Sequence, residues 1–215
     1  MAARKKVEPM SISIPDIRTE VMEITVIGDS PLMVHKWSEK AKKMMLDKQR
    51  GVPTQKKPPK DPQQDFQDAI HYDDDGDYAF PTIGFKASAV TACTSLDMQK
   101  VAARQAFHME GEWVKIISDP PEMDESMVRI GQGTADLRYR PKYQNWAAKF
   151  KVVYNANVLT AGQILNVFNT AGFGVGIGEW RPEKNGSYGR FHVANKAEAD
   201  ALEKRIAAKA LEIAA

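Results

Sequence analysis

The residues best suited to chemistry form one run: Gly172-Phe173-Gly174-Val175-Gly176-Ile177-Gly178-Glu179-Trp180-Arg181-Pro182-Glu183-Lys184-Asn185-Gly186-Ser187-Tyr188-Gly189-Arg190-Phe191. A glycine carries no Cβ, so its backbone takes positive φ and admits a ligand close to the amides. Trp180, Arg181, Lys184, Tyr188 and Arg190 set cations and flat rings among those glycines. Phosphates and unstacked bases suit such a mixture. A nucleotide-cofactor cradle does not: there is no Gly-Lys-Ser/Thr ending, and Gly174-Val175-Gly176-Ile177-Gly178 follows a helical pattern instead of opening a helix. The residues alone leave two readings, a glycine-rich helix cap with its turn and a loop that touches a polynucleotide.

Other chemistry is weakly signalled. Asp73-Asp74-Asp75-Gly76-Asp77 lacks the Gly and Glu positions of a calcium loop and reads as a tight Asp-Gly turn, with at most a weak hold on Mg²⁺. His35, His71, His108 and His192 have no metal spacing with one another or with Cys93. There is no nucleophile-elbow and no HExxH pattern, and Asp29 stands in a turn without a partner. The expectation is no metal, no cofactor and no catalysis.

Elements that position the loop can be read from periodicity. Met22, Ile24 and Val26 alternate with Glu23 and Thr25, a half-buried strand ending at the turn Gly28-Asp29-Ser30-Pro31. Residues 38–49 predict a short basic helix capped by Ser38, and 50–62 an exposed Lys/Pro-rich loop, so 36–64 reads as a basic insertion. Residues 66–72 and 78–80 predict a hairpin around the aspartates, 83–96 a small-residue helix continuing into 98–108, 113–117 a strand, and 119–125 an acidic loop. Ala148, Phe150, Val152 and Tyr154 alternate with Lys149, Lys151 and Val153, a clear strand. Thr160 and Gln163 form a capping box that opens a helix ending in the glycine loop. Residues 190–193 predict the next strand, and Asn195 with Glu198 opens a last helix, apolar at Leu202, Ile206, Ala210 and Ile213. The order predicts an α+β fold, an RRM/ferredoxin-like antiparallel sheet with helices on one face, spanning 1–215 as one domain behind an arm at 1–17.

Composition narrows the class. At 215 residues with 43% hydrophobic and 8% aromatic content, the chain can build a core. Its net charge of +2 makes the placement of cations matter more than their number. They concentrate at 36–60 and around 129–151. A single cysteine forbids an intrachain disulfide, no apolar run spans a bilayer, and the charged start lacks an apolar segment, so a cytoplasmic protein with no membrane partner is expected.

Two segments resemble a known family. Gly178 followed by Gly186-Ser187-Tyr188-Gly189-Arg190-Phe191 is similar to the C-terminal glycine-rich motif of the RAMP superfamily, especially its Cas7-like members. Phe80-Pro81-Thr82-Ile83-Gly84-Phe85-Lys86-Ala87-Ser88-Ala89-Val90 resembles the segment that opens the first helix in that family, with Lys86 on the family's lysine. Gly84, Ala87 and Val90 depart from the Ser, Gly and Arg common there, and the stretch from Gly178 to Gly186 is longer than usual. The resemblance implies an RRM-like sheet with inserted fingers that binds single-stranded RNA and stacks into helical filaments. Without the arginine, a phage-type role on either RNA or DNA stays open.

The expected function is therefore non-enzymatic binding of single-stranded RNA or DNA by a protein that self-associates into a helical or ring oligomer. Gly178, Gly186, Gly189 and Arg190 are expected to admit and hold the backbone, with Trp180 and Tyr188 stacking bases and Arg181 beside them. Lys86, Lys149 and Lys151 are expected to neutralise phosphates, and Lys42, Lys43, Lys56 and Lys57 to reach over the strand. Two rivals are a phage structural or assembly subunit without nucleic acid, and a RAMP-type ribonuclease needing His35, His71 or His192 beside the glycine loop.

Overall fold

The computed structural model describes residues 16–53, 59–130 and 133–214. In β1 (Thr19–Gly28), Ile24 and Val26 are buried while Glu23 is exposed. β2 (Leu32–Met33) is short and wholly buried. α1 (Glu39–Gln49) begins where the Ser38 side chain accepts from the Ala41 N–H, and it buries no residue. α2 (Pro62–Asp68) is capped by Asp61, with Pro62 at the first helical position where its missing N–H costs nothing. Then come β3 (Ala79–Pro81) and α3 (Thr82–Ala92), which tightens into a 3₁₀ turn and stops at left-handed Asp97. α4 (Lys100–Ala106), β4 (Phe107–Met109) and β5 (Trp113–Ile117) follow. β6 (Glu122–Ile130) and β7 (Thr134–Tyr143) form a long hairpin. β8 (Ala147–Asn155), α5 (Ala161–Thr170), β9 (Phe191–Val193) and α6 (Lys196–Ala214) complete the order.

The main sheet runs β3-β5-β8-β1-β9, with β4 also pairing on β8. Its pairs are antiparallel. Taking β1-α3-β5-β8-α5-β9 in chain order gives the split β-α-β arrangement of a ferredoxin-like α+β fold. A second sheet, β2-β7-β6, stands beside it. The core lies between the main sheet and the α3–α5 pair, where Phe150 sits 5.0 Å from Phe85 and 5.2 Å from Phe168 between ring centroids. Phe85 also meets Phe191 of β9 at 5.8 Å. These offset and tilted contacts add specificity to the apolar burial that drives the layers together.

α6 lies on the opposite face. Lys149 of β8 reaches Glu203 of α6 at 3.2 Å, Leu202 is buried, and Lys209 donates to the Ser118 carbonyl. The sheet therefore has helices on both faces, where one covered face was expected.

Several local expectations change. Residues 66–72 and 78–80 do not form a hairpin: Phe66 belongs to α2, and Tyr72 and Tyr78 share only an isolated bridge. The aspartate turn holds itself, Asp73 accepting from the Asp75 and Asp77 N–H groups. The 83–108 helix is interrupted at Asp97 and gives way to β4. Of the acidic loop expected at 119–125, residues 122–125 are the start of β6, which the sequence pattern did not reveal. Of the N-terminal arm only residues 16 and 17 fall among those described, and Lys56 and Lys57 lie outside them. No helix among the described residues is long and apolar enough to cross a membrane.

Candidate functional site

The glycine run folds back on the first β-turn. The Ile177 N–H donates to the Gly189 carbonyl, the Gly189 N–H to Pro31 and the Glu179 N–H to Met33, at 3.0, 2.8 and 2.8 Å. Gly178 and Gly189 have φ of 76° and 65°. A Cβ on Gly178 would stand 2.3 Å from the Met33 carbonyl oxygen, and one on Gly189 1.8 Å from that of Ile177. Their missing side chains make room for the protein's own backbone. Gly186 likewise backs onto the Trp180 carbonyl. The loop is thus a folded wall, latched to residues 31–33.

The facing wall is the β6–β7 hairpin. Antiparallel register places Arg138 opposite Ser126 and Arg140 opposite Asp124. Strand alternation brings both arginines to one face. Between hairpin and loop opens a cleft of about 760 Å³. Arg129, Arg138, Arg140, Arg181 and Lys184 line it, with Glu179 the one carboxylate among its lining residues. Trp180 stands at its edge, 45% exposed and held at φ 53°, a left-handed conformation disfavoured for a tryptophan.

Arg140 is the unusual member. Its side chain is 2% exposed, its Nη1 lies 3.6 Å from Met33 Sδ and 3.8 Å from Glu179 Oε2, and its Nε has no partner among the described residues. Burial holds its pKa below the ordinary guanidinium value, opposed by the Glu179 carboxylate. A guanidinium stays cationic in a protein nonetheless. The cleft floor therefore carries a positive charge with unused donor capacity. Arg138 lies 3.8 Å from Asp136, while Arg181 is engaged by Glu183 at 2.6 Å and by the Gly178 carbonyl at 3.0 Å.

A second cavity of about 500 Å³ adjoins the cleft across Glu179 and Arg181. It lies between α3 and the glycine loop, with His35, His71 and Trp37 on its rim. Burial, reinforced by Arg138 and Arg140, lowers the His35 pKa, and burial pushes His71 down to about 4. Both imidazoles are neutral at pH 7. His192 lies elsewhere, 2.6 Å from Asp29 and 3.3 Å from Glu198.

No family model and no curated protein matches the chain. Among solved structures it is similar to Cmr6 from Pyrococcus furiosus, with a TM-score of 0.45 and 10% identity over 82% of this chain and 99% of that one. At that level the likeness carries no argument about function.

Of the residues singled out in the sequence, Trp180 and Arg181 meet at the cleft and Gly178 stands on the rim of the adjoining cavity. Gly186, Tyr188, Gly189 and Arg190 lie within the folded loop. There the Tyr188 N–H donates to Trp180, and the Arg190 N–H to the Ser30 hydroxyl. Lys149 and Lys151 are not brought to the loop, because β1 separates β8 from β9. Lys149 pairs with Glu23 and Glu203 at 3.1 and 3.2 Å, and Lys151 is exposed on the same face. Lys86 of α3 meets His108 at 3.0 Å. Lys42 pairs with Glu39 on exposed α1, beside exposed Lys43. Arg129, Arg138 and Arg140 were missed as site residues. The run Arg138-Tyr139-Arg140-Pro141-Lys142 carries a period-2 signal that places its cations on one strand face.

Proposed function

We propose that this protein binds single-stranded nucleic acid without cleaving it, and that copies associate side by side along the strand in a Cas7-like manner. The observation that supports this is the cleft, whose lining residues include five cations and one carboxylate, with an exposed tryptophan at its edge. Phosphates neutralised by Arg129, Arg138 and Lys184 hold the strand without regard to sequence. Trp180 offers a stacking surface for any base. The sheet face, where RRM-type platforms display their aromatics, is here covered in part by α6 through Leu202 and Glu203, with Lys151 and Val21 left exposed on it.

Titration of labelled single-stranded RNA and DNA at low and moderate salt tests the proposal. Binding that weakens with salt and fails in an Arg138→Glu/Lys184→Glu variant supports it. Absence of binding to either polymer by the purified protein would refute it. RNA cleavage that disappears on replacing His35 or His71 by Ala would replace it with the ribonuclease reading.

A further inference from the structure

The cavity beside the cleft is built differently from the cleft itself. Gly84, Ala87, Ser88 and Thr91 of α3 follow helical spacing and present a small-residue face to it. Flat rings of His71 and Phe80 close one side, 6.2 Å apart in an edge contact. Ser88 is 4% exposed, and its hydroxyl has no hydrogen-bond partner among the described residues. His71 Nδ1 is buried and likewise unpaired. Buried polar atoms left without partners are uncommon, and each calls for a reason.

Charge argues against a phosphate here. Glu179 and Glu183 stand at the cavity, and the one cation of the lining, Arg181, is already committed to Glu183 and to the Gly178 carbonyl. What fits is a flat, uncharged group with both donors and acceptors on its edge. A serine hydroxyl and a neutral imidazole each donate or accept, so they match such an edge in either sense.

We propose that this cavity receives one unstacked nucleobase of the strand whose phosphates lie in the neighbouring cleft. The inference rests on the strand-binding proposal and adds to it a base-reading subsite. Continuity through Glu179 and Arg181 lets a single nucleotide turn its base inward while its phosphates remain in the cleft. Extruding a base is easiest from a strand that is already single.

The test uses the full chain and two probes, an RNA oligonucleotide and an abasic sugar-phosphate oligomer of equal length. Ala87 is exposed on the cavity rim, so Ala87→Trp fills the space without entering the core. It is expected to weaken binding of the base-bearing oligomer roughly tenfold and leave the abasic one unchanged. Ser88→Ala keeps the test decisive should the larger side chain disturb folding. Removing a hydroxyl that has no partner leaves the melting temperature unchanged or raised, while binding of the base-bearing oligomer weakens roughly threefold. Unaltered affinity for the base-bearing oligomer in both variants overturns the inference and leaves strand binding standing. If neither oligomer, nor a DNA oligonucleotide of the same length, binds the unmodified protein, the strand-binding proposal fails and the subsite with it.

Discussion

Two regions of this molecule gather cations, and they use them in opposite ways. On the sheet face, Lys149 is matched by Glu23 and Glu203, and Arg205 and Lys209 of α6 donate to the carbonyls of Ile117 and Ser118. Those charges fasten a helix to a sheet. In the cleft, the five lining cations share one lining carboxylate, with Arg138 and Arg181 turned to Asp136 and Glu183 outside it, and buried Arg140 leaves its Nε without a partner among the described residues. Positive residues are equally visible in both stretches of sequence. What separates them is how fully the fold supplies acceptors: Lys149 is held between two carboxylates at 3.1 and 3.2 Å, while Arg140 meets Glu179 only at 3.8 Å.

The sharpest break in that comparison is charge reversal. Arg129→Glu/Arg138→Glu/Lys184→Glu is expected to weaken single-strand binding roughly a thousandfold, whereas Lys149→Gln changes it less than about twofold. Equal losses, measured by titration at fixed salt, would erase the distinction. Next comes the wall itself: Gly189→Val forces a Cβ onto the Ile177 carbonyl and strains a left-handed backbone. A stability loss of about 3 kcal/mol in denaturant unfolding is expected. Trp180→Ala is expected to cost about 1–3 kcal/mol in binding and little in stability, because the ring is exposed.

The two regions also answer pH in opposite senses. Burial holds His71, beside the cleft, near a pKa of about 4, so the unfolded chain binds a proton that the native state refuses. Stability is therefore full above the ordinary histidine value and declines as pH falls from about 6.5 toward 4, by on the order of 1–2 kcal/mol after solvent screening. His71→Phe should flatten that decline in thermal melts. At the other end, burial lowers His192, but the Asp29 and Glu198 carboxylates more than offset it and leave its pKa raised. Its contribution is present below the unfolded value and is lost as pH rises through the folded one. With the pair partly exposed, the effect is under about 1 kcal/mol, and His192→Gln should remove it.

The contrast also explains what the sequence disclosed. Alternation in β1 and β8 announces strands because Met22, Ile24 and Val26, and Ala148, Phe150, Val152 and Tyr154, each line one core face, and Thr160 with Gln163 marks α5 because capping is local chemistry. The β6–β7 hairpin was hidden because it packs no such face: Met123, Met127 and Leu137 are exposed while Arg140 is buried. Its strands thus invert the usual pattern. α6 was legible as a helix, but periodicity states which side of a helix is apolar and not which side of a sheet it covers. That second fact sets Lys149, still exposed, between two carboxylates, Glu23 and Glu203. Glycines announced close approach correctly, but local sequence does not say that the approaching group is the chain's own Met33 or Ile177 carbonyl.

Met33 carries one more consequence. Its residue pairs with Lys142 of the hairpin, its carbonyl accepts from Glu179 of the loop, and its sulfur touches Arg140 on the floor. The next residue, Val34, donates to Pro141. Both walls therefore grow from one short pivot, like the arms of tweezers joined at the base. The spacing of the two walls is thus fixed at their root by the peptide groups of Met33 and Val34, which lie outside the lining of the cleft.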